Sequence, residues 1–436
     1  MAEIRPFRGV HYNQSRVDDW SEVICPVYDI ITPQQREELY LRSDYNFVRL
    51  EHTRELPQDT NADNKYTRAA ATLEQWLKQG VLEIDSIPAI YLHDQYFTLH
   101  GRKYRRRGII VRVRLEEWER MIIRPHEGTL AEPRGDRLNL LWAIEANTSP
   151  ILAMFEDPEQ RLSSLLATQE RNQPAISAPN IMGEAHVVRA ITDPETIDQV
   201  CHILAEQPLY IADGHHRYES ALAYRHESLA RSPSASGDES FNFVMMTLVD
   251  FADPGLVILP PHRLARGISK STLNELVPRL KALFEIEELP ADTADLWHRV
   301  EGSSTEENTP RLVIFGLNGD CLSVLRLRDP EAASQMMPYF HSELYKKLDV
   351  SLVDHIILEK LLGIDSEKEK TSLAYVYDRQ DAINRVTVQE YQLALLLKPV
   401  SPEVIKTIAD VGDRMPRKST YFYPKLPAGL IFNRLV

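Results

Sequence analysis

Leu209-Tyr-Ile-Ala-Asp-Gly-His-His-Arg-Tyr-Glu-Ser-Ala-Leu222 is the stretch on which the fold turns. Four uncharged, mostly aliphatic residues read as a buried strand. The spacing of Tyr218, Ala221, Leu222 and Leu229 then reads as one face of a helix beginning near His216. Asp213 and Gly214 therefore fall where a strand becomes a helix. The first amides of a helix lack partners and its dipole attracts negative charge, and a glycine there lets backbone approach a ligand closely. Arg217 adds a forked cation, and His215 and His216 add imidazoles that can donate to a phosphate oxygen or move a proton near neutral pH. Phosphate chemistry suits this set of residue types. Two other readings stay open here. In one, Asp213 is a plain helix cap before a solvated first turn; in the other, Asp213 and a histidine bind zinc or manganese, which the adjacent guanidinium opposes.

On either side the chain alternates between apolar runs and amphipathic stretches. Ala89–Leu92, Gly108–Val113, Phe243–Val249 and Leu256–Leu259 read as strands. The spacing predicts helices over 66–78, with Ala69, Leu73, Trp76 and Leu77 on one side, and over 193–205, with Ile197, Val200, Cys201 and Leu204. Beyond residue 266 the pattern restarts. Helices are expected over 271–284, 352–362, 378–386 and 402–411, strands over 311–315, 321–327, 373–377 and 392–397, and a turn-rich joint over 305–310. The expectation is a mixed α/β chain with an N-terminal domain over 1–265 and a smaller C-terminal α/β domain over 266–436. The polar, small-residue segment 231–240 is expected to be a surface loop and a candidate lid. Arg102-Lys-Tyr-Arg-Arg-Arg107 is expected to be the solvated end of a β-hairpin.

Composition narrows the functional classes. The 436 residues carry 50 Lys and Arg against 64 Asp and Glu, a net charge of −14, so the surface as a whole repels nucleic acid and anionic membranes. An anion site must then be a local pocket. The three cysteines, Cys25, Cys201 and Cys321, are widely spaced and support neither a disulfide framework nor a thiolate zinc site. No apolar run approaches the ~20 residues of a membrane span, and the charged N-terminus does not read as a signal peptide. A cytoplasmic location is expected.

Two further constellations carry chemistry. Ile123-Arg-Pro-His-Glu-Gly-Thr-Leu130 and Glu132-Pro-Arg-Gly-Asp-Arg-Leu138 bring His126, Glu127, Thr129, Asp136 and Arg137 into a short polar stretch, followed by Asn147-Thr-Ser-Pro-Ile151. Glu127 could take a proton from a substrate hydroxyl, and Arg137 or Arg124 could hold an anionic group; a surface loop with an exposed Asp136–Arg137 pair is the plainer alternative. The aromatic and proline-rich run from Asp413 to Leu430 brings Lys418 and Lys425 into an acidic chain. It is read either as a segment reaching over the active site or as a tail docked on the core. Tyr28 and Asp29, in a turn feeding a helix at Pro33, are candidates for substrate contact.

Ile4-Arg-Pro-Phe7, Pro26-Val-Tyr-Asp-Ile30, His126-Glu-Gly-Thr129 with Asp136-Arg137, Ala212-Asp-Gly-His-His-Arg217, Pro260-Pro-His-Arg-Leu264 and the run from Met415 to Lys425 together resemble, in order, the bacterial and archaeal domain of unknown function 1015 family. The 213–217 block is in turn similar to the phosphate-binding signature of the ParB and sulfiredoxin superfamily, which includes kinases of free serine. The resemblance implies a ParB- and sulfiredoxin-like mixed sheet in the N-terminal part. Gly214, His216 and Arg217 would contact nucleotide phosphates, and Asp213 would position magnesium or the acceptor. It further implies Mg²⁺ with ATP or ADP. Asp213, His215 and Glu127 are the catalytic candidates, Glu127 on chemical grounds alone; His126, Thr129, Asp136, Arg137, Lys418 and Lys425 are candidates for substrate contact.

The expectation is thus a nucleotide-dependent phosphotransferase acting on a small hydroxylated metabolite, free serine among the candidates. Its partners would be that metabolite and the nucleotide, with no nucleic acid or membrane. A metal-dependent phosphatase or other hydrolase and a non-catalytic nucleotide-binding adaptor are the alternatives. His215 stands where sulfiredoxin relatives carry a reactive cysteine, which argues against sulfinic acid reduction.

Overall fold

Gly108-Ile-Ile-Val-Arg-Val113 shows how the chain builds its larger sheet. Ile109, Val111 and Val113 pack into one apolar layer and Ile110 into another, so this strand is covered on both faces. Phe243–Asp250 does the same, sending Val244, Met246 and Leu248 to one layer and Met245 to the other. The computed structural model describes residues 2–232, 234–290 and 311–436; the joint expected over 305–310 lies outside them.

The chain packs as two units. One comprises Met1–Pro125, Thr129–Val257 and Phe422–Val436, the other His126–Gly128 and Ile258–Tyr421. In the first unit the described residues form a nine-stranded mixed sheet. Its path runs Ile123–Arg124, Leu209–Asp213, Ile151–Phe155, Phe243–Asp250, Arg102–Arg114, Ile90–Leu99, Glu184–Ile191 and Ile176–Ile181, with Ile4–Arg5 also pairing on Arg102–Arg114. Leu209–Asp213 is parallel to Ile123–Arg124 and antiparallel to Ile151–Phe155, and Phe243–Asp250 is parallel to Ile151–Phe155. The fold is mixed α/β.

Helices cover the sheet where their caps and stripes place them. Lys65–Lys78 starts at Asn64, whose side chain accepts from the amides of Tyr66 and Thr67, and buries Ala69, Leu73 and Trp76. Pro194–Ala205 is capped by Asp193 and buries Ile197, Val200 and Leu204. The polar stretch after Thr129 becomes a helix, Ala131–Ile144, despite Pro133 and Gly135. Its buried positions 137, 140, 141 and 144 follow helical spacing, and the first of them is an arginine. Among the described residues no helix is long and apolar enough to cross a membrane.

The basic run at the hairpin end is only partly solvated. Arg102, Lys103 and Arg105 are exposed, but Arg106 is 2% exposed. The strand's alternation turns Arg106 inward, where Gln95 and the carbonyl of Pro424 accept its hydrogen bonds at 2.5 and 2.6 Å. Arg107 forks onto the buried Asp94 at 2.7 and 2.9 Å. In the segment expected to be a loop, Arg114 donates to the carbonyl of Gly237 and Arg5 to Asp238, at 2.9 and 2.7 Å.

The second unit holds a six-stranded sheet, antiparallel throughout, with Phe284–Pro290, Cys321–Leu327, Arg311–Asn318, Leu393–Leu396, His262–Ala265 and Leu373–Val376 in spatial order. Leu264, Val313, Phe315, Leu322, Ala394 and Leu396 fill its core. Helices Lys270–Leu283, Arg379–Thr387 and Pro402–Asp410 form where the periodicity predicts them. Leu352–Leu361 winds as a π-helix where an α-helix is predicted, and it closes with the amide of Leu362 on the carbonyl of Ile357.

Candidate functional site

The strand Leu209–Asp213 delivers Asp213 to the turn, and the helix His215–Arg231 begins one residue later. Gly214 makes that transition at φ +96°, and a Cβ there would come 2.9 Å from Nε and Nη2 of Arg217. The backbone angle favours a glycine, and a methyl group there would also have to displace the guanidinium. Arg217 folds back over the turn. Its Nη2 donates to Oδ2 of Asp213 at 2.8 Å, and its Nη1 donates to the carbonyl of Pro150 at 2.6 Å and to Oγ of Ser149 at 3.2 Å.

Lys425 supplies a second cation. Its ammonium donates to the other oxygen of Asp213, and both side chains are more than four-fifths buried. Burial opposes the charge on Asp213, but the Lys425 ammonium and the Arg217 guanidinium outweigh it and hold the carboxyl well below the usual carboxylate range. Lys425 is in turn raised, with Asp213 overcoming the effect of burial. Two cations on one carboxylate leave this trio with a net positive charge.

The polar chain continues into the unit. Ser149, bonded to Arg217, donates to Oε1 of the fully buried Glu51 at 3.0 Å, while Oε2 of Glu51 has no hydrogen-bond partner. The carbonyl of Glu51 accepts from Nη1 of Arg137 at 2.9 Å. Arg137 also donates to Oδ2 of Asp136 at 3.0 and 2.5 Å and lies 4.0 Å over the ring of Tyr28. Asp136 takes the Tyr66 hydroxyl at 2.9 Å and the Lys65 ammonium at 2.7 Å on its other oxygen. Burial notwithstanding, Arg137 and Lys65 keep Asp136 ionised far down the pH scale.

Arg137, Ser149, Arg217, Asn147, Thr148 and Ser220 line one recess of about 40 Å³. That volume accommodates a few water-sized groups and no nucleotide. Nε of Arg217 is buried and has no hydrogen-bond partner. Asp29 is exposed, and its charge acts on Lys425 and Tyr28. Among the described residues no three His, Cys, Asp or Glu side chains gather as a metal ion would need.

Of the residues singled out from the sequence, Asp213, Gly214, Arg217, Asp136, Arg137 and Lys425 thus belong to one polar network in the first unit. His215 is buried and acts electrostatically on Asp213. His216 accepts from the amide of Leu130 through Nε2 at 2.9 Å, and Thr129 donates to Glu219 on the same helix. His126, Glu127 and Lys418 fall in the second unit. There Nε2 of the fully buried His126 is 3.0 Å from Oγ1 of Thr420. Oε1 of Glu127 accepts from the amides of Ser419 and Thr420 at 3.2 Å each and from the Thr420 hydroxyl at 3.1 Å. Lys418 is exposed. Sequence reasoning missed Glu51 and Lys65. Glu51 ends a four-residue helix, Val48–Glu51, too short to show any periodicity.

Solved structures similar to this chain include a conserved hypothetical protein from Pyrococcus furiosus, 14% identical over 75% of this chain and 95% of that one, with a TM-score of 0.36. A free serine kinase in complex with AMP is 13% identical over 74% of this chain and 91% of its own, with a TM-score of 0.35. SbnI with a C-terminal truncation, from Staphylococcus aureus, is 11% identical over 73% and 85%, with a TM-score of 0.33. No curated protein matches the chain. The model of one protein family matches residues 4–351, and the chain belongs to that family, described as protein of unknown function (DUF1015).

Proposed function

We propose that the 213–217 turn, with Lys425 and Arg137, is the oxyanion-binding centre of a nucleotide-dependent phosphotransferase acting on a small hydroxylated metabolite, free serine among the candidates. One observation carries this reading. Two guanidinium groups, Arg137 and Arg217, line the same small recess beside Ser149, and Arg217 keeps a buried N–H without a partner. Such cations, already fixed by Asp213 and Asp136, meet the charge of a transferring phosphoryl group without having to reorganise. The nucleotide's base and sugar would lie outside the recess. The nucleotide and the acceptor class come from the likeness of the 213–217 block to the phosphate-binding signature described above.

In the transfer, the acceptor hydroxyl oxygen bonds to the terminal phosphorus, the bond from phosphorus to the bridging oxygen breaks, and the nucleotide leaves one phosphoryl group shorter. The hydroxyl proton goes to a carboxylate. Glu127 has one oxygen committed to Ser419 and Thr420, whereas Asp29, read from the sequence as a substrate contact, has no hydrogen-bond or ion-pair partner among the described residues, so we assign the proton to Asp29. Lys425 and Arg217 occupy both oxygens of Asp213, which leaves a metal-dependent hydrolase built on Asp213 and His215 with less support. Magnesium, which supplies charge neutralisation in such transfers, would be held chiefly by the nucleotide's own phosphates.

Calorimetric titration with ADP and ATP, and phosphorus NMR of mixtures with L-serine and other hydroxylated metabolites, test the proposal. Asp29→Asn should abolish turnover and leave nucleotide affinity within about twofold, while Glu127→Gln should retain turnover. Absence of nucleotide binding, or nucleotide binding with no consumption across the acceptors, would refute the phosphotransferase; the latter result supports the adaptor.

A further inference from the structure

Beneath the sheet of the first unit lies a buried polar row that none of the roles above uses. Arg106, 2% exposed, donates through Nη2 to the carbonyl of Pro424 at 2.6 Å and through Nη1 to that of Tyr423 at 3.5 Å. These are the two residues before Lys425. Nη2 of Arg106 also donates to Oε1 of Gln95 at 2.5 Å, and Nε2 of Gln95 donates to Glu184 at 2.5 Å. Glu184, Gln95, Arg106 and the backbone before Lys425 thus form one unbroken line of hydrogen bonds.

We propose that Arg106 is a positioning residue that seats Lys425 on Asp213, and that the ionisation of Glu184 governs how firmly it does so. The inference rests on the reading of Lys425 and Asp213 as part of the oxyanion centre. A guanidinium in a dry interior needs counter-charge, and Glu184, Asp253 and Asp213 are the anions that act on it. Ionised Glu184 accepts from the amide nitrogen of Gln95 and so turns the amide oxygen toward Arg106. Protonated Glu184 gives up that charge and gains an O–H that competes for the same amide oxygen.

Other groups face this carboxyl. His186 lies 3.5 Å away through Nε2, and His93 is bonded to His186 at 3.0 Å. Both rings are buried, and burial pushes His186 down to about 3 and His93 well below its ordinary value, so both are neutral in the working range. The field of Glu184 also reaches Tyr423, whose hydroxyl is pushed up, mainly by burial. Burial raises Glu184 itself to about 7, against the Gln95 hydrogen bond and Arg106, which makes it the member of this group that titrates near neutrality.

The test reads Lys425 directly. Full-length protein is treated with an amine-acylating reagent from pH 6 to 9, and modification of Lys425 is quantified by mass spectrometry relative to the exposed Lys418. In the parent protein, protection of Lys425 should rise severalfold across a midpoint near pH 7. Glu184→Gln should remove that midpoint, and Gln95→Leu should lower protection at every pH, provided both variants unfold cooperatively. ADP titration of the same samples should show affinity following protection. An unchanged midpoint in Glu184→Gln, or full protection in Gln95→Leu, would overturn the inference. Protection that follows pH with no ADP binding would leave the relay standing and count against the oxyanion centre instead.

Discussion

Lys425 and Asp213, 212 positions apart in the chain, meet as ammonium and carboxylate, and Arg217 closes on the second oxygen of the same carboxylate. Lys425 is therefore part of the charge cluster at the strand-to-helix turn. It adds a second cation to the one that Arg217 already supplies there.

Removing that charge leaves a mostly buried carboxylate with one partner fewer. Lys425→Met should lower the unfolding free energy by about 3 kcal/mol, read by denaturant titration. A loss of only a few tenths of a kcal/mol would mean that the pair contributes as little as an exposed one.

Arg217→Ala should weaken ADP and pyrophosphate binding by about tenfold or more, the effect expected for losing a charge-assisted hydrogen bond. Arg217→Lys keeps the charge without the fork and should fall between Arg217→Ala and the parent protein. Calorimetry at constant ionic strength measures both. Unchanged affinity in Arg217→Ala would remove the basis of the proposed function.

Gly214→Ala places a methyl group 2.9 Å from the guanidinium of Arg217 on a backbone held at φ +96°. Strain of about 1–3 kcal/mol should appear in the unfolding free energy, and oxyanion affinity should fall toward that of Arg217→Ala. A variant that is destabilised yet binds normally would show that Arg217 does not need its folded-back pose.

Burial holds His186 and His262, both fully buried, down to about 3 from an ordinary 6.5. The folded state resists protons that the unfolded state accepts. Their contribution is complete above pH 6.5 and is lost as pH falls toward 3, at up to about 1.4 kcal/mol per pH unit for each ring. Glu184, raised to about 7 from 4.5, acts in the opposite sense between those two values. Stability measured from pH 7.5 to 4 should therefore fall on acidification, and His262→Gln should flatten the slope. Identical slopes in the parent and His262→Gln would contradict this.

Local patterns made much of the fold legible. Apolar runs placed the strands at 108–113, 209–212 and 243–249, and capping residues such as Asn64 and Asp193 fixed helix starts. Arg106 was misplaced because a run of basic residues reads as solvated; strand alternation points every second side chain inward, and the partners that tolerate a cation there, Gln95 and the carbonyl of Pro424, are distant in sequence. Arg137 was visible as a charge but not as the first residue of a buried helical stripe. Glu51 gave no signal, since a lone carboxylate in a short helix looks like any surface residue.

By itself the sequence determined the strand, turn and helix around Asp213 and the glycine between them, because hydrophobic periodicity and backbone sterics act over a few neighbouring residues. Only the tertiary structure decided that Arg217 folds inward, that Lys425 answers Asp213, and that Glu127 is bound to Ser419 and Thr420. Those outcomes depend on which buried charges find counter-charges, and Coulomb pairing in a dry interior joins residues with no regard to their separation along the chain.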